Sequence, residues 1–219
     1  ARTKHISLRR RHWDPRRCPI VILCDADLSN SASKRSRTGW AAYLFGNLVG
    51  WNSRLQPSVS LSTAEAEYMA IASACQFAVW YKTLVADLGI EVALHLPVTI
   101  LCDNKSACRI ATSPIAQRHS RHIDRRLHWI KEHTLGGAIK VLHIRTDLNV
   151  SDIFTKALSK ATFQGHRDHL LCGFMFSWSE ETQSRCFFAH FLCHLQPLDD
   201  AVEGEMLLQQ TEVHYNYFI

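Results

Sequence analysis

The chain has 219 residues, 47% of them hydrophobic, with a formal charge of +5, which is enough apolar material to bury a core of ordinary domain size. That composition excludes a fibrous or wholly disordered chain, and no unbroken apolar run approaches the ~18–20 residues that span a bilayer. The arginine-rich start has no secretory-signal stretch, and none of the eight cysteines forms a C-x-x-C pair, so a soluble intracellular protein with reduced thiols is expected.

The charge is unevenly spread. Residues 174–219 hold seven acids against one basic residue, Arg185, so residues 1–173 carry a balance of +11. A basic body of that size favours a polyanion such as nucleic acid; basic side chains spread over a solvated surface are the alternative. Residues 1–19 cluster arginine without an apolar period and read as a disordered basic arm. The run Ile20-Val21-Ile22-Leu23-Cys24 is a strand of the fully buried kind. A polar loop follows from Leu28 to Thr38. The segments Gly39–Phe45 and Leu48–Ser53 flank Gly46-Asn47, a pattern that predicts a hairpin with those two residues as its turn. From Ser62 or Thr63, either able to cap, an alanine-rich helix runs to about Leu88 and is closed by Gly89.

Val98–Cys102 is a second buried strand, followed by a short helix from Lys105 to Ala111. Residues 119–135 predict a basic amphipathic helix, Ala138–Ile144 a third strand, and Val150–Leu158 a final helix. A hairpin followed by alternating helices and strands implies an α/β layer fold with a mixed sheet, over residues 20–173. The tail, 174–219, has no clear period and no assignable fold. Its Cys186, His190, Cys193 and His194 lack the paired spacing of a zinc finger.

Four carboxylates fall where a fold can gather them. Asp25 and Asp103 follow buried strands and so stand at the carboxyl edge of a sheet, where ligands bind in open α/β folds. Glu67 lies in the first turns of the long helix, and Asp152 opens the last one. Neighbouring acids repel unless a cation neutralises them, and hard divalent ions take carboxylate oxygens. Each acid also has an ordinary explanation, as a turn residue, a dipole partner or a first-turn acid. Within the helix, counting from Glu67 gives Ala70, Ile71, Ala74 and Ala78, a small apolar face suited to a sheet. Counting from Glu65 gives Tyr68, Met69, Ala72 and Gln76, a less clearly buried set, so Glu67 is preferred.

The strings Leu23-Cys24-Asp25-Ala26-Asp27, Gly50-Trp51-Asn52-Ser53-Arg54-Leu55-Gln56-Pro57, Leu61-Ser62-Thr63-Ala64-Glu65-Ala66-Glu67-Tyr68-Met69-Ala70, Cys102-Asp103-Asn104, Arg121-His122-Ile123-Asp124 and Ser151-Asp152-Ile153-Phe154-Thr155-Lys156 occur in that order. Together they resemble the ribonuclease H domain that closes the polyprotein of copia-type LTR retrotransposons. The resemblance implies a ribonuclease H-like fold, a five-stranded mixed sheet flanked by helices. It also implies hydrolysis of the RNA strand of an RNA–DNA hybrid during reverse transcription, alongside a reverse transcriptase and away from membranes. Carried over, Asp25, Glu67, Asp103 and Asp152 would be catalytic and hold two Mg2+ ions, with Mn2+ as a substitute, Asp25 being shared by both. Ser62, Thr63, Asn104 and Arg121 would contact the hybrid; a helix cap is the ordinary role for Asn104, and a solvated helix face for the basic cluster Arg118, Arg121, Arg125, Arg126 and Lys131. Trp40 and Trp51 are read as core, and Asp27 as a loop or supporting acid. The segment from Ile144 to Asp152 lacks the histidine that many ribonucleases H carry there, so no histidine-assisted step is expected. The competing reading is a catalytically silent retroelement remnant that keeps the fold and binds nucleic acid.

Overall fold

The acids read at the two buried strands Ile20–Cys24 and Val98–Cys102 can meet only if those strands are neighbours, and they are. A computed structural model of the chain describes residues 20–28, 34–90, 96–113 and 129–172. Strands β1 (Ile20–Asp27), β2 (Arg37–Leu44), β3 (Asn47–Leu55), β4 (Val98–Cys102) and β5 (Ile139–His143) form one sheet in the order β3-β2-β1-β4-β5. The first three strands pair antiparallel, and β1, β4 and β5 run parallel. The five-stranded mixed sheet flanked by helices is therefore present as expected. The arm 1–19, the tail 174–219 and residues 119–128 of the predicted basic helix lie outside the described residues.

The central strand explains its own sequence. Ile20 to Ala26 are all buried because the strand is covered on both faces. Ile22, Cys24 and Ala26 face the larger cluster, while Val21 and Leu23 face a smaller one. Helix α1 (Thr63–Asp87), helix α2 (Lys105–Thr112) and the described part of helix α3 (129–135) supply Ala66, Ile71, Ala107, Ala111 and Ile130 to the larger cluster. Helix α4 (Lys160–Cys172) contributes Leu170 to the smaller one.

Local chemistry sets the ends of α1. Ser62 Oγ accepts from Glu65 N at 3.2 Å, and the Glu65 carboxylate reaches back to Leu61 N at 2.8 Å. At the far end Gly89 adopts φ +71°, with Gly89 N donating to Ala86 O and Ile90 N to Val85 O, a Schellman ending. By length and composition α1 is able to cross a bilayer, but its apolar residues form the floor of the sheet's core. Ala70, Ile71, Ala74 and Ala78 are buried, and so are Tyr68, Met69 and Ala72, leaving only Gln76 of the two predicted sets exposed. The helix thus buries more than one stripe, and periodicity alone does not separate Glu65 from Glu67.

Three expectations need correction. The hairpin turn is Phe45-Gly46, one residue earlier than expected: both have positive φ (50° and 74°), as a two-residue I′ turn demands, and Leu44 pairs with Asn47. Asn47 leaves the turn but braces it, its Nδ2 donating to Phe45 O at 2.9 Å. The final helix predicted over Val150–Leu158 is instead a 3-10 turn, Val150–Phe154, followed by the separate helix α4. Trp40 is core and packs on Phe77 at 4.4 Å, but Trp51 is 64% exposed on the edge strand, stacked on Phe154 at 5.7 Å.

Candidate active site

The site lies where β4 ends beside β1. Cys24 pairs with Cys102 in register, so Asp103, just past β4, adjoins Asp25, which stands inside β1 and still pairs with Gly39 of β2 instead of following the strand as expected. Asp25 is fully buried, Glu67 and Asp152 are nearly so, and Asp103 is partly exposed. Carboxylate oxygens of Asp25, Asp103 and Asp152 all lie within 4.8 Å of one another, and Glu67 falls within the same distance of Asp103 and Cys102. The four acids singled out in the sequence thus converge. Glu65 stays apart, held by the Leu61 amide.

Glu67 reaches the end of β1, where its Oε2 accepts from Ala26 N at 3.0 Å and from the Cys102 thiol at 3.7 Å. Burial pushes its carboxyl up to about 9, aided by the charges of Asp25 and Asp103. Burial likewise lifts Asp152 to about 6, with Asp25 adding to the effect and Lys156 opposing it. Such crowding of oxygen donors fits a hard divalent cation, which neutralises acids that otherwise repel or hold protons.

Asp152 arrives on a strap, residues 144–156, that crosses the end of β1. Asn149, fully buried, anchors it: Nδ2 donates to Cys24 O at 3.0 Å, and Oδ1 accepts from Ser151 N at 3.3 Å and from the Ser151 hydroxyl. Thr155 donates its hydroxyl to Asp25 Oδ2. Lys156 Nζ bridges two acids, 3.2 Å from Asp25 Oδ1 and 2.9 Å from Asp152 Oδ1. Burial works against the lysine's charge, but Asp25 and Asp152 outweigh it and raise its pKa above the ordinary value. Ser53 Oγ donates to Phe154 O at 2.6 Å and ties the strap to β3. Gly39 on β2 lets it approach, since a Cβ there would lie 2.7 Å from both Phe154 Cβ and Thr155 Cγ2.

Among the residues assigned to substrate, Ser62 and Thr63 sit exposed at the start of α1, with Ser62 as its cap. Asn104 caps α2, its Oδ1 accepting from Ala107 N at 3.0 Å, which leaves its amide nitrogen as the group able to donate. Arg121 lies outside the described residues, as do Arg118, Arg125 and Arg126. Sequence reasoning gave no role to Asn149, Thr155, Lys156 or Gly39. Thr155 and Lys156 stood in a quoted motif, and the i,i+4 spacing of Asp152 and Lys156 was the available signal. His166 on α4, also unassigned, is buried, and its pKa is lowered by burial and by the nearby charge of Lys156.

Two expected results follow from this geometry. Asn149→Ala removes the partners of the Cys24 carbonyl and of Ser151 at a buried position, and should cost about 2–3 kcal/mol in denaturant unfolding. A loss below half a kcal/mol would mean that the strap is held elsewhere. The second concerns pH. Because the folded value of Glu67, about 9, exceeds its ordinary 4.5, its carboxyl favours folding fully below pH 4.5 and loses that contribution as pH rises towards 9. In EDTA, the melting temperature of the wild type should therefore fall from pH 5 to pH 9 relative to Glu67→Gln, and Mg2+ should narrow the gap. Parallel profiles for the two proteins would count against the buried, repelled carboxyl.

No family model matches the chain. Over 141 residues it is 33% identical to the retrovirus-related Pol polyprotein from transposon TNT 1-94 of Nicotiana tabacum, covering 64% of this chain and 10% of that protein. Over 129 residues it is 34% identical to the Pol polyprotein from transposon RE2 of Arabidopsis thaliana, covering 59% of this chain and 9% of that protein. The chain thus spans about a tenth of the length of these relatives. Among solved structures it is similar to LC11-RNase H1, isolated from compost by a metagenomic approach, with 15% identity, a TM-score of 0.49, and coverage of 64% of this chain and 94% of that one. Over that segment, then, the chain is similar to the Pol polyproteins of retrovirus-related plant transposons, and its described residues fold as a five-stranded mixed sheet flanked by helices.

Proposed function

We propose that this domain is a divalent-metal-dependent ribonuclease H, which cuts the RNA strand of RNA–DNA hybrids in the manner a retrotransposon requires during reverse transcription. The observation that carries the reading is the convergence of Asp25, Glu67, Asp103 and Asp152, from three elements and a strap, at the carboxyl edge of β1 and β4. These four residues would hold Mg2+, or Mn2+ in its place; two such ions supply Lewis-acid activation of water and stabilise charge on the leaving oxygen. Asp25 would be shared by both ions; Asp152 would serve the side of the attacking water, and Glu67 and Asp103 the side of the leaving group. Water oxygen adds to phosphorus as the bond from phosphorus to the 3′ oxygen breaks, leaving a 5′-phosphate and a 3′-hydroxyl.

The remaining residues bind and orient. The Asn104 amide is the nearest donor to Asp103 in sequence and suits a 2′-hydroxyl, the group that distinguishes RNA from DNA. Ser62 and Thr63 offer hydroxyls at the exposed start of α1, and Arg121 belongs to a basic run suited to phosphates. A reverse transcriptase domain is the natural partner, given relatives that are Pol polyproteins. The catalytically silent remnant draws support from one feature: Lys156 bridges two of the four acids and offsets one of their charges without a metal ion.

Cleavage separates the two readings. The chain, incubated with an RNA–DNA hybrid in Mg2+, should yield 5′-phosphorylated RNA fragments, with activity abolished by EDTA and by Asp103→Asn. Hybrids left whole in both Mg2+ and Mn2+, or an equally active Asp103→Asn, would sink the nuclease.

A further inference from the structure

Asp25 has a donor on each oxygen. Oδ2 accepts the Thr155 hydroxyl and Oδ1 the Lys156 ammonium, and the same ammonium holds Oδ1 of Asp152. These two carboxylates are among the three whose oxygens converge within 4.8 Å. We propose that Lys156 is a resident counter-ion that competes with divalent cations for Asp25 and Asp152, so that the site loads metal only by exchanging an ammonium for it. This deepens, and rests on, the metal-dependent reading above.

The physical argument is one of charge and reach. A divalent ion bound to Asp25 and Asp152 would share their oxygens with an ammonium that lies 3.2 and 2.9 Å from them, and two like charges held on the same carboxylates repel strongly in a partly buried site. One of the two must leave. Thr155 is short and buried, and stays. Lys156 has a flexible four-carbon stem and a side chain 35% exposed, so it can swing to solvent with its charge intact. Without the lysine, Asp25 and Asp152 would face each other and Asp103 with no positive partner on the strap, which costs stability and raises the appetite of the site for any cation. Lys156 therefore lowers metal affinity while holding the strap against β1.

The test uses the full chain and Mn2+ alone, without nucleic acid, and reads binding by calorimetry or by loss of the free-ion electron paramagnetic resonance signal. Lys156→Gln should bind Mn2+ about tenfold more tightly than the wild type, whereas Lys156→Arg, which keeps the charge, should stay within about threefold of it. Equal affinity in wild type and Lys156→Gln overturns the exchange and leaves the nuclease reading standing. Absence of Mn2+ binding in every protein overturns both. A second measurement needs no variant: acylation of Lys156 by an amine-reactive reagent, followed by mass spectrometry on the wild type. Mn2+ should speed that labelling several-fold, because exchange frees the amine; an unchanged or slower rate overturns the inference.

Discussion

Asp25→Asn is expected to lower hybrid cleavage by about a thousandfold or more while leaving the protein folded. Asp25 is fully buried and central, and both of its oxygens are in use. Asparagine keeps the shape and one acceptor but removes the charge that a shared cation needs. It also turns an amide group towards Thr155 or Lys156, both of which are donors. The same change relieves the repulsion that helps push Glu67 up to about 9, so the thermal stability of the EDTA-treated protein should change little or rise. Stabilisation by Mg2+ should disappear. The informative outcome is this dissociation of activity from stability. A variant that unfolds would assign Asp25 a structural role, and one that retains a tenth of the wild-type rate would remove it from the catalytic set.

Gly39→Ala should damage both fold and site through a single methyl group. Its Cβ would sit 2.7 Å from Phe154 Cβ and Thr155 Cγ2 and 3.2 Å from Ser151 O, none of them the far end of a flexible side chain. The strap must therefore move away from β2, which costs about 1–3 kcal/mol for overpacking a close contact. Thr155 and Lys156 move with it, and with them the alignment of Asp25 and Asp152, so cleavage should fall roughly a hundredfold. Adding Thr155→Ser to Gly39→Ala deletes one of the two clashing carbons yet keeps the hydroxyl for Asp25. Part of the lost melting temperature should return in that double variant, and an additive further loss would show that the clash is not the cause.

Most of the architecture was legible because buried parallel strands write themselves as unbroken apolar runs: Val98–Cys102 was read to the residue, and Ile20–Asp27 by its first five. Acids directly after such runs had few places to go, and Glu67 joined them on a helix whose cap and Schellman ending are local signals. Legibility failed where the chain departs from a period. The turn at Phe45-Gly46 was misplaced because a phenylalanine at positive φ is rare, and the neighbouring Asn47 is the commoner turn residue. Helix α4 was missed because it carries a glycine, Gly165, in its middle and buries little beyond His166 and Leu170, although Ser159 caps it by accepting from Thr162 N at 3.2 Å. The contacts of Asn149 with Cys24, of Gly39 with the strap and of Lys156 with Asp25 are made across the fold, and no window of sequence contains both partners of any of them.

Those long separations bear on how the domain comes into being. Asn149 meets Cys24 across 125 positions of chain, and Thr155 and Lys156 meet Asp25 across 130 and 131. During synthesis the hairpin, α1 and β4 leave the ribosome well before the strap, and contacts of such high sequence separation close late. A nascent or prematurely terminated chain lacking residues 149–156 would expose a buried aspartate with neither its hydroxyl nor its ammonium partner. On the proposed reading the set of four acids is complete only once Asp152 has been made, so any cleavage by the domain would wait for the strap.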